Sequence, residues 1–574
     1  MLAFVLHKTN KYKKENEEKH YFVFEKQTFL EHFDNEDHLS VISNCLITNY
    51  TKPETYNKQI LDLYKKYDIK LFTHLKGEFS FGIWDKQKQT FFGGRDRIGV
   101  KPFYYYNDDD IFIYSSTLKF IKEYFGFTEL NEYWIADALS GIVYDKTSTQ
   151  FEKIFRMPPA HYMLVSKEKF EIKRYWELKI NKIENIGEEE AIAMFREKLF
   201  HAVNSRFFPH ITGTELSGGL DSSGVTSIAA IRAKETNSKL YSYSQRLADK
   251  YLGKIPPYKD EREYSDAVAE MYPNIILRPI TAEDRGIIEP MKKVIDIIGA
   301  PVSNHLSYLF DVMFETAQKD NVKIILSGYG GDEIVSNSGS YYLKDLAINK
   351  KWKLLKKVMN KPFLSKPFIH LFLSKTTPTI INIYRKINNK YSWQREKFNN
   401  LFLNNELIKK TNATKRYWKR YYFNPNNSFD NYQLLNFNEH YIQNRLETLG
   451  EVSKHYNIEQ SHPLLDIELI DTFINLPNKY KYKHSNDRLL FRNSLKNILP
   501  LKIGCRKNKT IATEPNHLIR LINDINKIDS NVSFVDNNKY KQLVNNISNQ
   551  KNNDGVLLGQ KNIKTTIFID IYLK

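Results

Sequence analysis

The segment "SGGLDSS", Ser217 to Ser223, carries residue types suited to phosphate chemistry. It follows the extended "TGTEL" and leads into "SSGVTSIAAIRAK", which reads as a helix. Gly218 and Gly219 let the backbone approach a ligand closely and adopt positive φ. The helix that follows aims unpaired N–H groups and the positive end of its dipole at the loop, which makes an anion site. Ser217, Ser222 and Ser223 add hydroxyl donors. No lysine follows the glycines, so this is not the G-x-x-x-x-G-K-[ST] loop of common nucleotide hydrolases. Asp221 would repel phosphate unless a metal lay between them, and Mg2+ favours a carboxylate or two together with phosphate oxygens. Taken alone, the segment also suits a Gly/Ser turn that caps a buried helix.

A second segment, "LSGYGGDE", Leu326 to Glu333, also follows an extended run, "NVKII", and carries two acids among its glycines. In a parallel sheet two strand ends can lie side by side, and ligands bind at such carboxyl ends. Asp221 and Asp332 are then placed to grip one Mg2+ on the pyrophosphate of ATP.

The elements that would position these loops alternate. "KLYSYSQ", "NIILRPI" and "NVKIILSG" read as strands and "DEREYSDAVAEMY" as a helix, so residues from about 188 to 345 predict a parallel sheet covered by helices. Before them, residues 1 to 175 read as an α+β layer of short strands: "EFSFGIWDKQKQTFFGG" predicts a hairpin, and "IFIYSS" and "HYMLVS" further strands. A linker is expected in "RYWELKINKIENIG", residues 174–187, ahead of the amphipathic "IGEEEAIAMFREKLFHAVNSRF". Residues 345–430 read as a basic, aromatic, helical insert within a unit spanning 188–515, and 516–574 as an Asn- and Lys-rich tail.

In this motif order the chain resembles the asparagine synthetase superfamily. "SGGLDSS" is similar to its pyrophosphatase-type ATP loop and "LSGYGGDE" to its second loop. "GEFSFGIWD" with "GGRDRIGVKPFYYY", within residues 77–106, resembles the end of its glutaminase-like domain. "HPLLD", residues 462–466, and "RLLFRNSLKNILP" with "RKNK", within 488–509, resemble its C-terminal helical part. The resemblance implies an N-terminal Ntn-hydrolase-like α+β sandwich, then an α/β PP-loop domain of the adenine nucleotide α hydrolase type with helical additions. It implies that a carboxylate attacks the α-phosphate of ATP, giving an acyl-adenylate and pyrophosphate, and that an amine then displaces AMP. On this likeness Leu216, Ser327 and Gly328 line the adenosine. Ser217, Gly218, Gly219, Asp221, Ser222 and Ser223 hold pyrophosphate, and Asp221 and Asp332 bind Mg2+. Gln245 falls where an apolar residue usually touches adenine.

Three departures from the family pattern bear on function. Glutamine-using members carry a cysteine at position two, whereas this chain has Leu2, and the family's Asn-Gly segment is replaced within "SVISNCLITNYTKPE". The glutaminase-like domain, residues 1–175, is therefore expected to be inactive scaffold. Its "RDRIGVKP" is expected to be structural, with Arg95 and Asp96 as a buried pair and Pro102 as a fixed turn. Tyr329 stands where asparagine synthetases usually have an acid. In the β-lactam-forming relatives it is a tyrosine, which with a glutamate deprotonates the attacking amine. A ring packed on substrate or sheet is the other reading, and Glu447 and Glu451 are the candidate partners. Arg488 replaces a common lysine and keeps its charge. Tyr329, Glu333 and Arg488 are the residues expected at the chemistry. The "RLLFR" spacing and "GGDEIVSNSG" resemble the lasso-peptide cyclase branch, which closes a ring between an Asp or Glu side chain and an α-amine. Lys507 and Lys509 either add positive charge there or form a solvated turn. His161, His305 and His462 are read as structural histidines rather than bases.

Composition sets the outer bounds. The chain has 574 residues and a net charge of +18, with 41% hydrophobic and 14% aromatic residues. No apolar run spans a membrane and no signal-peptide order is seen, and two cysteines, Cys45 and Cys505, fit a reducing cytoplasm. Residues 341–430 carry 20 Lys+Arg against 4 Asp+Glu, a net of +16. That segment is either a product of compositional bias or a docking surface for an acidic partner. The expected substrate is an amino acid or an acidic precursor peptide. An asparagine synthetase running on ammonia is the rival enzyme. A non-catalytic binding protein, for which "KRYWKRYYF" would even suit single-stranded nucleic acid, is the rival of another class. The intact serines, glycines and Asp221 of the ATP loop weigh against it.

Overall fold

The aromatic, alternating strands of the first 175 residues close over one another as two antiparallel sheets. The computed structural model describes residues 1–9, 11, 20–24, 31–49, 52–141, 145–251, 261–281, 285–303, 307–336, 342–343, 345–346, 349–359, 403–416, 428–437, 440–482, 487–506, 520–521, 524, 527, 534–548 and 566–573. Most of the basic insert, much of the tail, and His305, Lys507 and Lys509 lie outside these.

One sheet has the order β2-β1-β8-β7-β9, from β1 (Leu2–His7), β2 (His20–Phe24), β7 (Tyr104–Asn107), β8 (Ile111–Ser115) and β9 (Phe155–Arg156). The other runs β11-β10-β6-β5-β4-β3, from β3 (Glu31–Glu36), β4 (Leu39–Ile47), β5 (Gly77–Asp85), β6 (Thr90–Arg95), β10 (His161–Val165) and β11 (Phe170–Arg174). The expected hairpin is β5–β6, with Gly82 opposite Gly93. Rings fill the space between the sheets: Phe4 stacks on Phe91 at 4.8 Å and meets Trp84 at 5.4 Å. Gly82 is needed there, because a Cβ would lie 2.5 Å from the Phe91 ring. Offset aromatic contacts of this kind add to simple burial.

The second unit is a five-stranded sheet of order β14-β13-β12-β15-β16. Its strands β12 (Thr212–Glu215), β13 (Leu240–Gln245), β14 (Ile275–Ile280), β15 (Ile324–Leu326) and β16 (Glu459–Ser461) all pair in parallel. The chain runs outward from β12 to β14 and then returns to β15 on the other side of β12. That reversal leaves a crevice at the carboxyl ends of β12 and β15, the position where open α/β sheets bind ligands. The helix α1 (Glu188–Asn204) precedes this sheet and α2 (Leu220–Glu235) follows β12. The expected order, an antiparallel sandwich and then a parallel-sheet domain, is the one found. Between β11 and α1, Asn181 and Ile183 donate their backbone N–H to Asn475, so this stretch is fastened to the helix Ile467–Asn475.

Three buried charge groups join the two units. Arg95, fully buried, pairs with Glu447 at 2.7 Å, and Arg156 meets the same carboxylate at 3.3 Å. Lys101 pairs with Glu459 of β16 at 2.8 Å. Arg206 bridges Glu78 at 2.9 Å and Asp466 at 3.0 Å. Burial alone would raise the Glu78 pKa, yet Arg206 and Lys101 pull it down to about 2. "RDRIGVKP" is thus an inter-domain clamp. The expected Arg95–Asp96 pair does not form: Arg95 spends its guanidinium on Glu447 and on the carbonyls of Gly99, Lys101 and Met157. Asp96 accepts instead from the N–H groups of Ile98, Gly99, Val100 and Lys101. Neighbours in sequence point opposite ways at the end of a strand.

Candidate active site

The loop after β12 is shaped by its glycines and tied by its serines. Gly218 has φ +77°, in the left-handed region, and a Cβ there would lie 2.7 Å from Cβ of Tyr264. Gly219 caps α2. The Ser217 and Ser222 hydroxyls lie 2.9 Å apart, and Ser222 Oγ also accepts from the Ser217 N–H at 3.2 Å. The helix start therefore faces the crevice with a glycine turn and two hydroxyls, which is the arrangement a phosphate needs.

The second loop locks onto the first. A Cβ on Gly328 would lie 2.6 Å from the Ser222 nitrogen, and one on Gly331 would lie 2.4 Å from Cγ of Asp221. Only glycine permits that approach. Ser327 donates to Glu215 at 2.9 Å, and the Tyr329 N–H donates to Ser327 Oγ at 3.2 Å. Residues Gly331–Val335 form a π-helical turn. Within it the Glu333 carboxylate accepts from the Gly330 N–H at 3.0 Å, and burial raises its pKa.

These loops wall a cavity together with Tyr243, Gln245, Glu261, Phe310, Met313 and Arg445. Of the residues expected from sequence, Leu216, Ser217, Gly219, Asp221, Ser222, Gln245, Ser327, Gly328, Tyr329, Asp332 and Glu333 are in the wall. Gly218 shapes the turn behind the wall, its carbonyl accepting from Arg506 at 3.5 Å. Ser223 is fully buried beneath the loop, and its N–H donates to Gly219 as an ordinary helical bond. Its hydroxyl is buried without a hydrogen-bond partner and is not part of the cavity wall. On a helix, adjacent residues point about 100° apart, and of these two serines it is Ser222 that lines the wall.

Arg488 lies between the two acids expected to hold a metal. Its Nη1 is 3.3 Å from Asp221, and its Nη2 pairs directly with Asp332. Its backbone has φ +55°, a conformation that costs a non-glycine residue about 1–3 kcal/mol and that clusters at functional sites. Asp221 also accepts from Ser336 Oγ at 2.5 Å. Two carboxylates converging on one guanidinium are a donor set that fits Mg2+ once phosphate oxygens join them and the guanidinium turns aside. Among the described residues no group of three or more His, Cys, Asp or Glu converges as an independent metal site.

The two glutamates expected beside Tyr329 are elsewhere. Glu447 is held by Arg95 and Arg156, and Glu451 is buried near Tyr104 with its pKa pushed up to about 8 by burial. Both lie on the face of the helix His440–His455 that meets the sandwich. The residue of that helix that does reach Tyr329 is Arg445, whose guanidinium lies 4.3 Å from the ring centroid. Sequence reading selected the helix but not its face, because 445 and 447 project about 200° apart. Glu215 was also missed. Its signal was its place at the end of β12, just ahead of the glycines. His462 packs edge-on to Tyr329 at 6.0 Å, and burial drives its pKa down to about 3, so it is neutral. His161 holds the Pro159 carbonyl at 2.7 Å through Nδ1.

The sandwich has no reactive thiol at its centre. Cys45 is fully buried, and burial pushes its pKa up to about 12. Cys505 is exposed. Native protein treated with iodoacetamide at pH 8 is therefore expected to take up one equivalent, at Cys505, and a second only after denaturation. Rapid native labelling of Cys45 in a peptide map would contradict this burial.

No helix of the described residues is long and apolar enough to cross a membrane. Residues 194–554 match the asparagine synthase family, and residues 49–176 match the glutamine amidotransferase domain. Asparagine synthetase (glutamine-hydrolyzing) 3 of Bacillus subtilis is 24% identical over 456 residues, covering 78% of this chain and 69% of the relative. Amidase chyE of Penicillium rubens is 25% identical over 285 residues, covering 48% of this chain and 42% of the relative, so the match spans less than half of that protein. Among solved structures, the allosteric regulatory enzyme of purine biosynthesis aligns with 57% of this chain at 10% identity and a TM-score of 0.20, too low to carry an argument.

Proposed function

The chain belongs to the asparagine synthase family of ATP-dependent carbon–nitrogen ligases, and from that premise we propose that it activates a carboxylate with ATP and joins it to an amine without hydrolysing glutamine. The observation that carries this reading is the pairing of an interlocked phosphate crevice with an N-terminal sandwich whose cysteine, Cys45, is buried and inert. Residues 1–175 then act as scaffold, clamped to the synthetase unit by Arg95, Lys101 and Glu78.

In this reading Ser217, Gly219 and Ser222 receive the pyrophosphate end of ATP. Asp221 and Asp332 would hold Mg2+, which when bound neutralises phosphate charge. Arg488, released from these acids, supplies positive charge to the departing phosphate. Tyr329, with the Arg445 guanidinium over its ring, accepts the proton of the attacking amine. Magnesium and a cytoplasmic location are part of the proposal. The favoured acid is an Asp or Glu side chain of an acidic precursor peptide, closed onto its own α-amine as in lasso-peptide cyclases. The net +16 of residues 341–430 supports such a partner, on a segment mostly outside the described residues.

The test supplies ATP and Mg2+ with aspartate and ammonium, with glutamine in place of ammonium, or with acidic peptides encoded beside the gene, and follows AMP and product by mass spectrometry. AMP formation without glutamate release from glutamine is expected. In Tyr329→Phe, acid-dependent exchange of pyrophosphate into ATP should persist while amide formation falls about 10²-fold. Asparagine formed in step with AMP would replace the cyclase reading by ammonia-dependent asparagine synthesis. Glutamate released from glutamine would overturn the proposal as a whole.

A further inference from the structure

The "RLLFR" spacing puts a second arginine, Arg492, on the short helix Leu489–Ser494 that follows Arg488. Arg492 is largely buried and is not among the residues of the cavity wall. Its guanidinium instead joins two separate stretches of chain. On one side Nε donates to the Asp487 carbonyl at 3.1 Å, and Nη2 donates to the Asp487 carboxylate at 3.3 Å. On the other side Nη1 donates to the carbonyls of Gly504 at 2.8 Å and Ile503 at 3.4 Å, and Nη2 to that of Arg506 at 2.7 Å. Every N–H of the fork is engaged in this way.

Both stretches lead straight to the phosphate crevice. Asp487 precedes Arg488, whose φ of +55° belongs to a region that a non-glycine residue keeps only where its surroundings over-determine it. Arg492 supplies such a constraint through the residue before it, and Arg488 then meets Asp221 and Asp332. Arg506 lies 4.0 Å from the Tyr264 ring centroid, pairs with Glu261 of the cavity wall and donates to the Gly218 carbonyl at 3.5 Å. One guanidinium therefore ties the cation between the two acids to the cation behind the phosphate loop. Lysine could not replace it, because a single ammonium cannot span both stretches as the rigid fork does. We infer that Arg492 is a positioning residue for the phosphate end of the nucleotide, one that touches no ligand and sets Arg488 and Arg506 together. The inference rests on the ligase reading above and adds the source of the preorganised charge at its crevice.

Calorimetric titration of the full chain with magnesium pyrophosphate and, separately, with adenosine tests this. Wild type is expected to bind both. Arg492→Met should bind magnesium pyrophosphate about 30-fold more weakly, the loss of one charge-assisted contact, and adenosine within about a factor of two of wild type. Arg488→Met should lose pyrophosphate affinity to a similar extent. The double variant should fall short of the product of the two single losses by about ten-fold, because residues that act through one another are not additive. Arg492→Lys keeps a cation beside Asp487, so it should fold even where Arg492→Met does not. It should still lose pyrophosphate affinity by about ten-fold, since the fork is gone. Unchanged pyrophosphate affinity in the Arg492 variants overturns the inference, and so do losses that multiply in the double variant. Equal losses for adenosine and pyrophosphate also overturn it, making Arg492 a structural staple. A wild-type protein that binds neither probe would instead overturn the ligase reading, and the positioning role with it.

Discussion

Replacing Asp221 by alanine is expected to cut AMP and pyrophosphate formation by about 10²–10³-fold, the loss typical of removing one preorganised electrostatic contact to a transition state. Asp221 is where three features meet. It sits in the first turn of α2, it contacts the second loop where Gly331 leaves room, and it pairs with Arg488. Alanine removes the charge that would face a metal and the acceptor for Ser336 Oγ. Asparagine separates these effects. Asp221→Asn keeps an oxygen for Ser336 and nearly the same volume but drops the charge, so it should melt like wild type and still fail to form AMP. In both variants Arg488 keeps Asp332 as its partner, so no buried cation is stranded. Residual activity in Asp221→Asn should need more Mg2+ than wild type for half-maximal rate. Full AMP formation by Asp221→Ala would mean that this crevice is not where ATP reacts.

Replacing Glu447 by alanine is expected to destabilise the protein by about 3–5 kcal/mol, because removing one member of a buried ion group leaves its partners charged and uncompensated. Arg95 is fully buried, Arg156 nearly so, and both lose their carboxylate. The consequence should extend beyond stability. The helix His440–His455 presents Glu447 to the sandwich and Arg445 to the cavity, so loosening one face displaces the other. Urea denaturation followed by tryptophan fluorescence should show a lower midpoint. Below that midpoint, amide formation should fall more than affinity for nucleotide, because Arg445 lies over Tyr329. A midpoint equal to wild type would show that the clamp contributes nothing net. Lys101 with Glu459, and Arg206 with Glu78 and Asp466, are parallel joints, so the domains should not separate altogether in this single variant.

These expectations divide between what local chemistry dictates and what long-range packing dictates. The phosphate loop was legible in the residues because each requirement is local: glycine for positive φ at 218, serines at a helix start, an acid for a metal. The hairpin of β5 and β6 was legible for the same reason, as alternation and a polar turn lie within one short segment. The pairing of β12 with β15 was an expectation of parallel topology, and the register Thr212–Ile324 through Thr214–Leu326 is what brings Asp332 to Asp221. Three matters rested on tertiary structure alone. Arg95 looked like the partner of its neighbour Asp96 but finds Glu447, 352 positions away, because the end of β6 meets the helix His440–His455. That helix was identified, but which of its faces met the cavity depended on what packed behind it, so Glu447 and Glu451 went to the sandwich and Arg445 to the site. Cys45 is inert because β4 lies in a closed core, and burial depth is not written at any single position. Sequence by itself determined the chemistry the loops can support. Only packing across the two units decided which charges are spent on holding the fold and which are left for a ligand, because a buried charge takes whatever partner the whole chain brings within reach.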